Sequence, residues 1–254
     1  KNTKVLMVST PKGMNQFYKF WTDAEHGRNS YVPINVHWSQ VPGRDEKWKK
    51  ETIRNTSPAQ FRAEFECEFL GSVLTLVNPA KLKSMAYVKP IQERNDGLKI
   101  YEEPKEGHMY FMGVDVSRGK EIDYHATTII DMTETPYRVV AQYRNNDIPP
   151  FLLPNMLYPM AKRYNDAYMM IEINDIGQEI SDILHNEMEY ENLLTTSVRG
   201  RKGQVMDGGF GNFDTQRGIR MSPKVKRVGC AMLKELIEND KVIIEDYHII
   251  NELA

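Results

Sequence analysis

Met109-Tyr110-Phe111-Met112-Gly113-Val114-Asp115-Val116-Ser117-Arg118-Gly119-Lys120-Glu121-Ile122-Asp123-Tyr124-His125-Ala126-Thr127-Thr128-Ile129-Ile130-Asp131 is the stretch that decides the fold. Tyr110–Val114 is an apolar run that leads straight into Asp115. A polar turn containing Gly119 follows, and Ala126–Ile130 is a second β-rich run. Short β-branched and aromatic runs bounded by Gly and Asp predict strands. Two of them across a short polar connection predict a hairpin. Asp115 then stands at the end of an inner strand, where a carboxylate is costly unless something neutralises it. A lone Asp there serves as readily as a hydrogen-bond acceptor in the turn. Two further acids favour a cation: Asp123 at the far end of the same turn, and Glu172 on the later apolar run Ala167–Ile173. Carboxylates converging from separate strands make a hard-cation site of the kind Mg²⁺ occupies. Two ions about 3.5–4 Å apart could activate water and stabilise the leaving oxygen of a phosphodiester. The Gly113…Gly119-Lys120 stretch is not a phosphate loop, because five residues separate the glycines and Glu121 follows the lysine.

The outward reading starts from composition. The 254 residues are 41% hydrophobic and 27% charged, as in ordinary globular proteins. No apolar run approaches the roughly 20 residues that span a bilayer, so no membrane partner is expected. Cys67 and Cys230 match no metal or disulfide spacing and are expected to be reduced thiols in a cytosolic protein. The net charge of −2 is unevenly spread. Arg199, Arg201, Lys202, Arg217, Arg220, Lys224, Lys226 and Arg227 face only Asp207 and Asp214 within the same stretch, a local +6 that leaves −8 for the remainder. Such a basic stretch suits a phosphate backbone read without regard to sequence. A solvated basic loop is the plainer alternative.

Before the hairpin, Lys4–Val8 and Tyr31–Trp38 read as strands, and Asn15–Ala24, Asp45–Asn55 and the segment after Ser57-Pro58 as helices. Phe61, Phe65 and Phe69 recur at helical spacing and predict one aromatic stripe facing a core. Residues 71–106 carry Pro79, Pro90, Pro104 and Gly97 without a period and read as a linker with room for a short helix or strand. After the hairpin come a third strand (Tyr137–Tyr143), a helix (Phe151–Tyr164), the strand bearing Glu172 and a helix over Asp175–Glu189. A short strand (Leu193–Val198), a long basic loop (Arg199–Arg220), a helix capped by Ser222, a strand (Lys241–Ile244) and a final helix complete the order. The sum predicts an α/β fold with a mixed central sheet flanked by helices.

That order of strands and acids resembles the ribonuclease H-like nucleases. More closely, the chain resembles the large terminase subunits of T4-like tailed bacteriophages. The resemblance rests on Val8-Ser9-Thr10-Pro11-Lys12-Gly13, Ala59-Gln60-Phe61-Arg62, Val114-Asp115-Val116-Ser117-Arg118-Gly119 with Asp123-Tyr124-His125-Ala126, Ile171-Glu172-Ile173-Asn174 with Gly177, and Lys226-Arg227-Val228-Gly229-Cys230 with Leu233-Lys234. It implies residues 1–75 as the C-terminal part of an ATPase domain, 76–106 as a hinge and 107–254 as a nuclease domain. Asp115 and Glu172 match metal-site acids, Asp123 an auxiliary acid, and Ser9 and Thr10 the ATPase coupling motif. The implied function is Mg²⁺- or Mn²⁺-dependent, two-ion cutting of concatemeric double-stranded DNA by a viral packaging motor. The implied partners are DNA, the portal protein, the small terminase subunit and further copies of the chain. The implied location is the host cytoplasm, with transient docking on the prohead. Neither the phosphate loop nor the family's third metal-binding acid lies within the chain. ATP use is therefore expected only of a full-length protein, and the metal site is expected to be incomplete. Two other readings remain open, a non-catalytic DNA- or portal-docking module and another ribonuclease H-like enzyme such as a resolvase. The Ser9-Thr10-Pro11 strand argues against the second of these.

Overall fold

The computed structural model describes residues 3–11, 16–69, 76–118, 123–198, 204–207 and 215–253. They fall in two units, 1–84 with 253–254 and 85–252. The first is helical among its described residues, with α1 (Gln16–Glu25), α2 (Glu46–Asn55), α3 (Pro58–Glu64) and α4 (Pro79–Ser84). Its caps follow from sequence. The Asp45 side chain accepts the Trp48 N–H at 2.8 Å, and the Ser57 hydroxyl accepts that of Gln60 at 3.1 Å with Pro58 just inside the helix. Trp38, Trp48, Phe61 and Phe65 form one aromatic cluster with ring centroids 5.2–6.1 Å apart.

Three expectations for this unit are corrected. The residues of Lys4–Val8 and Tyr31–Trp38 are not strands. Neither segment joins a sheet among the described residues, Trp38 opens a short 3-10 turn, and Leu6, Val8, Val32 and Ile34 are exposed. A β-rich run becomes a strand only when a neighbour takes its hydrogen bonds in a ladder, and Tyr31–Trp38 makes only isolated bonds, the Trp38 N–H donating to the Phe65 carbonyl at 2.9 Å and the Cys67 thiol to the Val36 carbonyl at 3.4 Å. The aromatic stripe is split as well. The helix ends at Glu64, so Phe69 lies beyond it and packs on Phe17, Tyr18 and Trp21.

The second unit is built on a seven-stranded mixed sheet. Six of its strands, β1 (Gln92–Glu93), β2 (Leu98–Ile100), β3 (Tyr110–Asp115), β4 (His125–Asp131), β5 (Tyr137–Asn145) and β6 (Tyr168–Ile171), follow the order β1-β2-β5-β4-β3-β6, and the seventh, Val242–Ile243, pairs with β5. Strand β3 pairs antiparallel with β4 and parallel with β6. Helices α5 (Pro154–Arg163) and α6 (Gly177–Asn186) lay Leu157, Met160, Ile180 and Leu184 against Met112, Val114, Met169 and Ile171. Alternate residues of β3 are buried, as the period of two requires. A second sheet, ordered β8-β7-β9, joins β7 (Thr195–Val198), β8 (Gln204–Asp207) and β9 (Thr215–Arg217). Then come α7 (Pro223–Glu238), β10 (Val242–Ile243), parallel to the start of β5, and α8 (Tyr247–Glu252).

The structure departs from expectation in four places here. Residues 85–106 are no free linker: β2 pairs with β5, and Leu98, Ile100 and Tyr101 are buried. Their shortness and the flanking Pro, Gly and charges conceal strands that the edge of β5 organises. The basic stretch 199–220 is not loop throughout, because β8 and β9 flank β7. The helix expected over Phe151–Tyr164 begins as a 3-10 turn, Pro150–Leu152, before α5. Helix α6 runs over Gly177–Asn186, shorter at both ends than the expected Asp175–Glu189, and carries no side-chain cap. Among the described residues no helix is long and apolar enough to cross a membrane.

Candidate nuclease site

Register places the acids. Val114 of β3 stands beside Ile171 of β6, and the Glu172 N–H donates to the Val114 carbonyl at 2.9 Å. Asp115 and Glu172 therefore emerge side by side at the carboxyl ends of two parallel strands, the edge where α/β sheets gather ligands. The glycine that opens α6 seats this edge. A Cβ on Gly177 would lie 1.8 Å from the Glu172 carbonyl oxygen, so only glycine lets the helix start so close. An exposed pair, Arg118 to Asp175, ties the segment after Asp115 to the segment after Glu172 through two bonds of 2.7 and 2.9 Å.

Both acids are pushed towards their protonated forms. For Asp115 the cause is first lost hydration and then the nearby Asp123 charge, opposed by Lys226 and by a backbone hydrogen bond from Val116. For Glu172 it is lost hydration and then Asp115, again opposed by Lys226. Asp115 thus stands electrostatically between the two other predicted acids. It shares with Asp123 a cleft of 390 Å³, lined also by Ser117, Tyr124, Arg144 and Glu252. Glu172 lies outside that lining. Among the described residues, no group of three or more His, Cys, Asp and Glu is gathered as a metal cage.

His125 organises the turn between the first two acids. It is fully buried. Its Nδ1 accepts the Ser117 N–H at 3.1 Å and its Nε2 donates to the Ile148 carbonyl at 3.0 Å. A backbone N–H only donates and a carbonyl only accepts, so the ring is the neutral Nε2–H tautomer. Burial lowers its pKa to match. The Ser117 hydroxyl closes the same turn on the Asp123 carbonyl at 2.9 Å.

Of the predicted basic residues, Arg199, Arg201 and Lys202 lie outside the described residues. Arg217 is on β9, Arg220 follows it, and Lys224, Lys226 and Arg227 lie in the first half of α7; all five are exposed. Lys226 is near enough to temper both acids. Ser9 and Thr10 belong to the first unit, where the Ser9 hydroxyl donates to the Thr10 carbonyl. Sequence reading missed His125, Tyr124, Arg144 and Glu252. A His and a Tyr beside an acid in a turn were the available signal for the first two. Arg144 and Glu252 carry no local pattern that brings them to this cleft.

The model of the terminase RNaseH-like domain matches residues 112–253, more than half of the chain. The chain belongs to the terminase large-subunit family. A second model, of the T4-type terminase large-subunit N-terminal region, matches residues 1–82. Two curated terminase large subunits, from Thermus virus P23-45 and Thermus phage G20c, are each 25% identical over 194 residues. Those alignments take in 70% of this chain and 38% of each relative, so the chain spans well under half of their length. Crystal structures of the large terminase nuclease from phage G20c, with bound magnesium and with bound cobalt, superpose with a TM-score of 0.51 at 17% identity. Each superposition covers 72% of this chain and 80% of the other. That likeness establishes the ribonuclease H-like terminase fold.

Proposed function

We propose that the chain carries the DNA-cutting part of a viral packaging motor, with Asp115 and Glu172 as metal ligands and Asp123 beside them. One observation carries the reading. Two carboxylates end adjacent parallel strands of a terminase RNaseH-like sheet, both are pushed towards protonation, and the Asp115 charge makes Glu172 harder to ionise. A divalent cation relieves that repulsion, and all-oxygen donors suit Mg²⁺ or Mn²⁺. The G20c nucleases bind magnesium and cobalt, which supports a divalent ion in this fold. When bound, one or two such ions would supply an activated water and stabilise the leaving oxygen. The protein's own part is positional. Strand register sets the two acids, His125 holds the Ser117 turn, and Lys226 with the basic residues around it offers charge to phosphates.

Concatemeric duplex DNA as substrate, ATP hydrolysis by a longer chain coupled through Ser9 and Thr10, assembly on a portal with the small subunit and further copies, and a site of action at the prohead in the host cytoplasm complete the proposal. Calorimetric titration with Mn²⁺ tests the core of it. Binding should be lost with Asp115→Asn and weakened with Glu172→Gln, and plasmid nicking should follow the same order. Duplex binding without any Mn²⁺ binding would favour a docking module instead.

A further inference from the structure

Arg144 is the cation of the cleft that these roles leave unexplained. Asp115 pairs across the sheet with Ala126, and Ala126 pairs with Arg144. Residues directly opposite in antiparallel register share a face, so acid, alanine and arginine form one row across β3, β4 and β5. Two strand spacings separate its ends, roughly 10 Å. The small alanine leaves the space between them open, and all three residues line the cleft.

The arginine is held in place. Its N–H donates to the Gly97 carbonyl at 3.1 Å, and the Asn145 side chain donates to the Asp96 carbonyl at 2.9 Å. Gly97 has a φ of +95°, and a Cβ there would lie 2.1 Å from the Arg144 carbonyl oxygen. The guanidinium sits over the Tyr124 ring, 3.5 Å from its centroid. A cation stacked on an aromatic face keeps its in-plane N–H fork for an anion, and that fork matches a phosphate. Its carboxylate neighbour is Glu252, at 3.6 Å. That distance exceeds a good charge-assisted hydrogen bond. Glu252 is 70% exposed against 27% for Arg144, so the pair is loose and open to competition. The helix that presents Glu252 is itself fixed. Buried Asp246 accepts the Ile249 N–H at 2.8 Å, the Tyr101 hydroxyl at 2.6 Å and the Gln142 amide.

We propose that Arg144, stacked on Tyr124, binds a backbone phosphate of duplex DNA flanking the one to be cut, and that Glu252 occupies Arg144 as a carboxylate stand-in until DNA displaces it. The proposal rests on the nuclease reading of the cleft, but its test does not use cleavage. Binding of a fluorescent duplex is measured in EDTA across a salt series. Arg144→Ala should weaken binding and lower the log–log salt slope by about 0.9, one phosphate contact. Arg144→Lys should keep the slope and lose part of the affinity, since it keeps charge but not the fork. Glu252→Gln should tighten binding several-fold in the parent and leave it unchanged in the Arg144→Ala background, because Glu252 acts through Arg144. Equal tightening in both backgrounds would show only bulk charge and overturn the gating role. An unchanged slope for Arg144→Ala, with its melting temperature preserved, would overturn the contact. If Arg144→Ala is misfolded, the Arg144→Lys and Glu252→Gln results decide. Should the contact hold while Mn²⁺ binding fails to depend on Asp115, the nuclease reading falls and the phosphate subsite stands.

Discussion

Asp115 and His125 are neighbours in charge with opposite pH behaviour. The folded Asp115 has a raised pKa, so between the unfolded and folded values the native state holds more protons. Stability is then lost as pH rises through that interval, but Asp115 is exposed, so water screens most of the cost and the ionised carboxylate destabilises the fold only slightly at neutral pH. Asp115→Asn should therefore raise the melting temperature at pH 7 and give no gain below about pH 4, where the acid is protonated in both states. Saturating Mn²⁺ should erase the neutral-pH advantage. A lower melting temperature for the variant at pH 7 would show that the carboxylate has compensating bonds. His125 runs the other way. Burial holds its folded pKa below the ordinary histidine value of about 6.5, so stability holds above that pH and falls as pH drops below it. His125→Phe strands the Ser117 N–H and the Ile148 carbonyl, at a cost of about 2–4 kcal/mol. Denaturant titrations at several pH values should find that loss together with a flatter profile as pH falls below about 6.5. An equally steep profile in the variant would assign the acid sensitivity to another group.

Elements were legible where their signal is local. The hairpin of β3 and β4, the Asp45, Ser57 and Ser222 caps, and the acid at the end of β3 can all be read from a few adjacent residues. What escaped depends on partners distant in sequence. The Lys4–Val8 run has strand composition and no paired neighbour among the described residues, whereas β1 and β2 have turn-like composition and join the sheet because β2 pairs with β5. The candidate site divides in the same way. Asp115 and Glu172 announced themselves at strand ends, while Arg144 reaches the cleft only through two successive registers and Glu252 through a terminal helix. The hidden strands change where the second unit can be cut. A fragment beginning at Met85 keeps Leu98, Ile100 and Tyr101 in the core, together with the Tyr101 hydroxyl that Asp246 accepts. A fragment beginning at Gly107 uncovers Tyr143 and deprives the buried Asp246 carboxylate of one of its donors, a loss of several kcal/mol from apolar burial and the weakened support of a buried charge together. The longer fragment should melt cooperatively and the shorter one should not. Matching melts would mean that β1 and β2 add little to the sheet.

At the scale of the whole molecule, the proposed DNA binding has to be reconciled with a net charge of −2. The total offers no attraction, so binding must come from charge placed within a Debye length of the DNA, about 8–10 Å at physiological salt. Lys224 and Arg227 fit, being exposed in the first half of α7 on either side of Lys226, which already acts on both acids. Lys162 and Lys241 provide a control of equal charge. Lys162 is in the last turn of α5, just before β6 begins, and Lys241 precedes β10 at the start of β5. Both therefore lie at the end of the sheet opposite Asp115 and Arg144. Strand β5 rises about 23 Å between its Tyr137 and Arg144 ends at roughly 3.3 Å per residue, well beyond screening range. Reversing Lys224 and Arg227 to Glu should lower the salt slope of duplex binding by about 1.8, two phosphate contacts at about 0.9 each. Reversing Lys162 and Lys241 changes the net charge by the same amount and should leave the slope intact. Fluorescence anisotropy over 50–200 mM salt separates the cases. Equal losses from the two pairs would mean that the DNA senses the protein's total charge, and the α7 face would lose its claim as the binding surface.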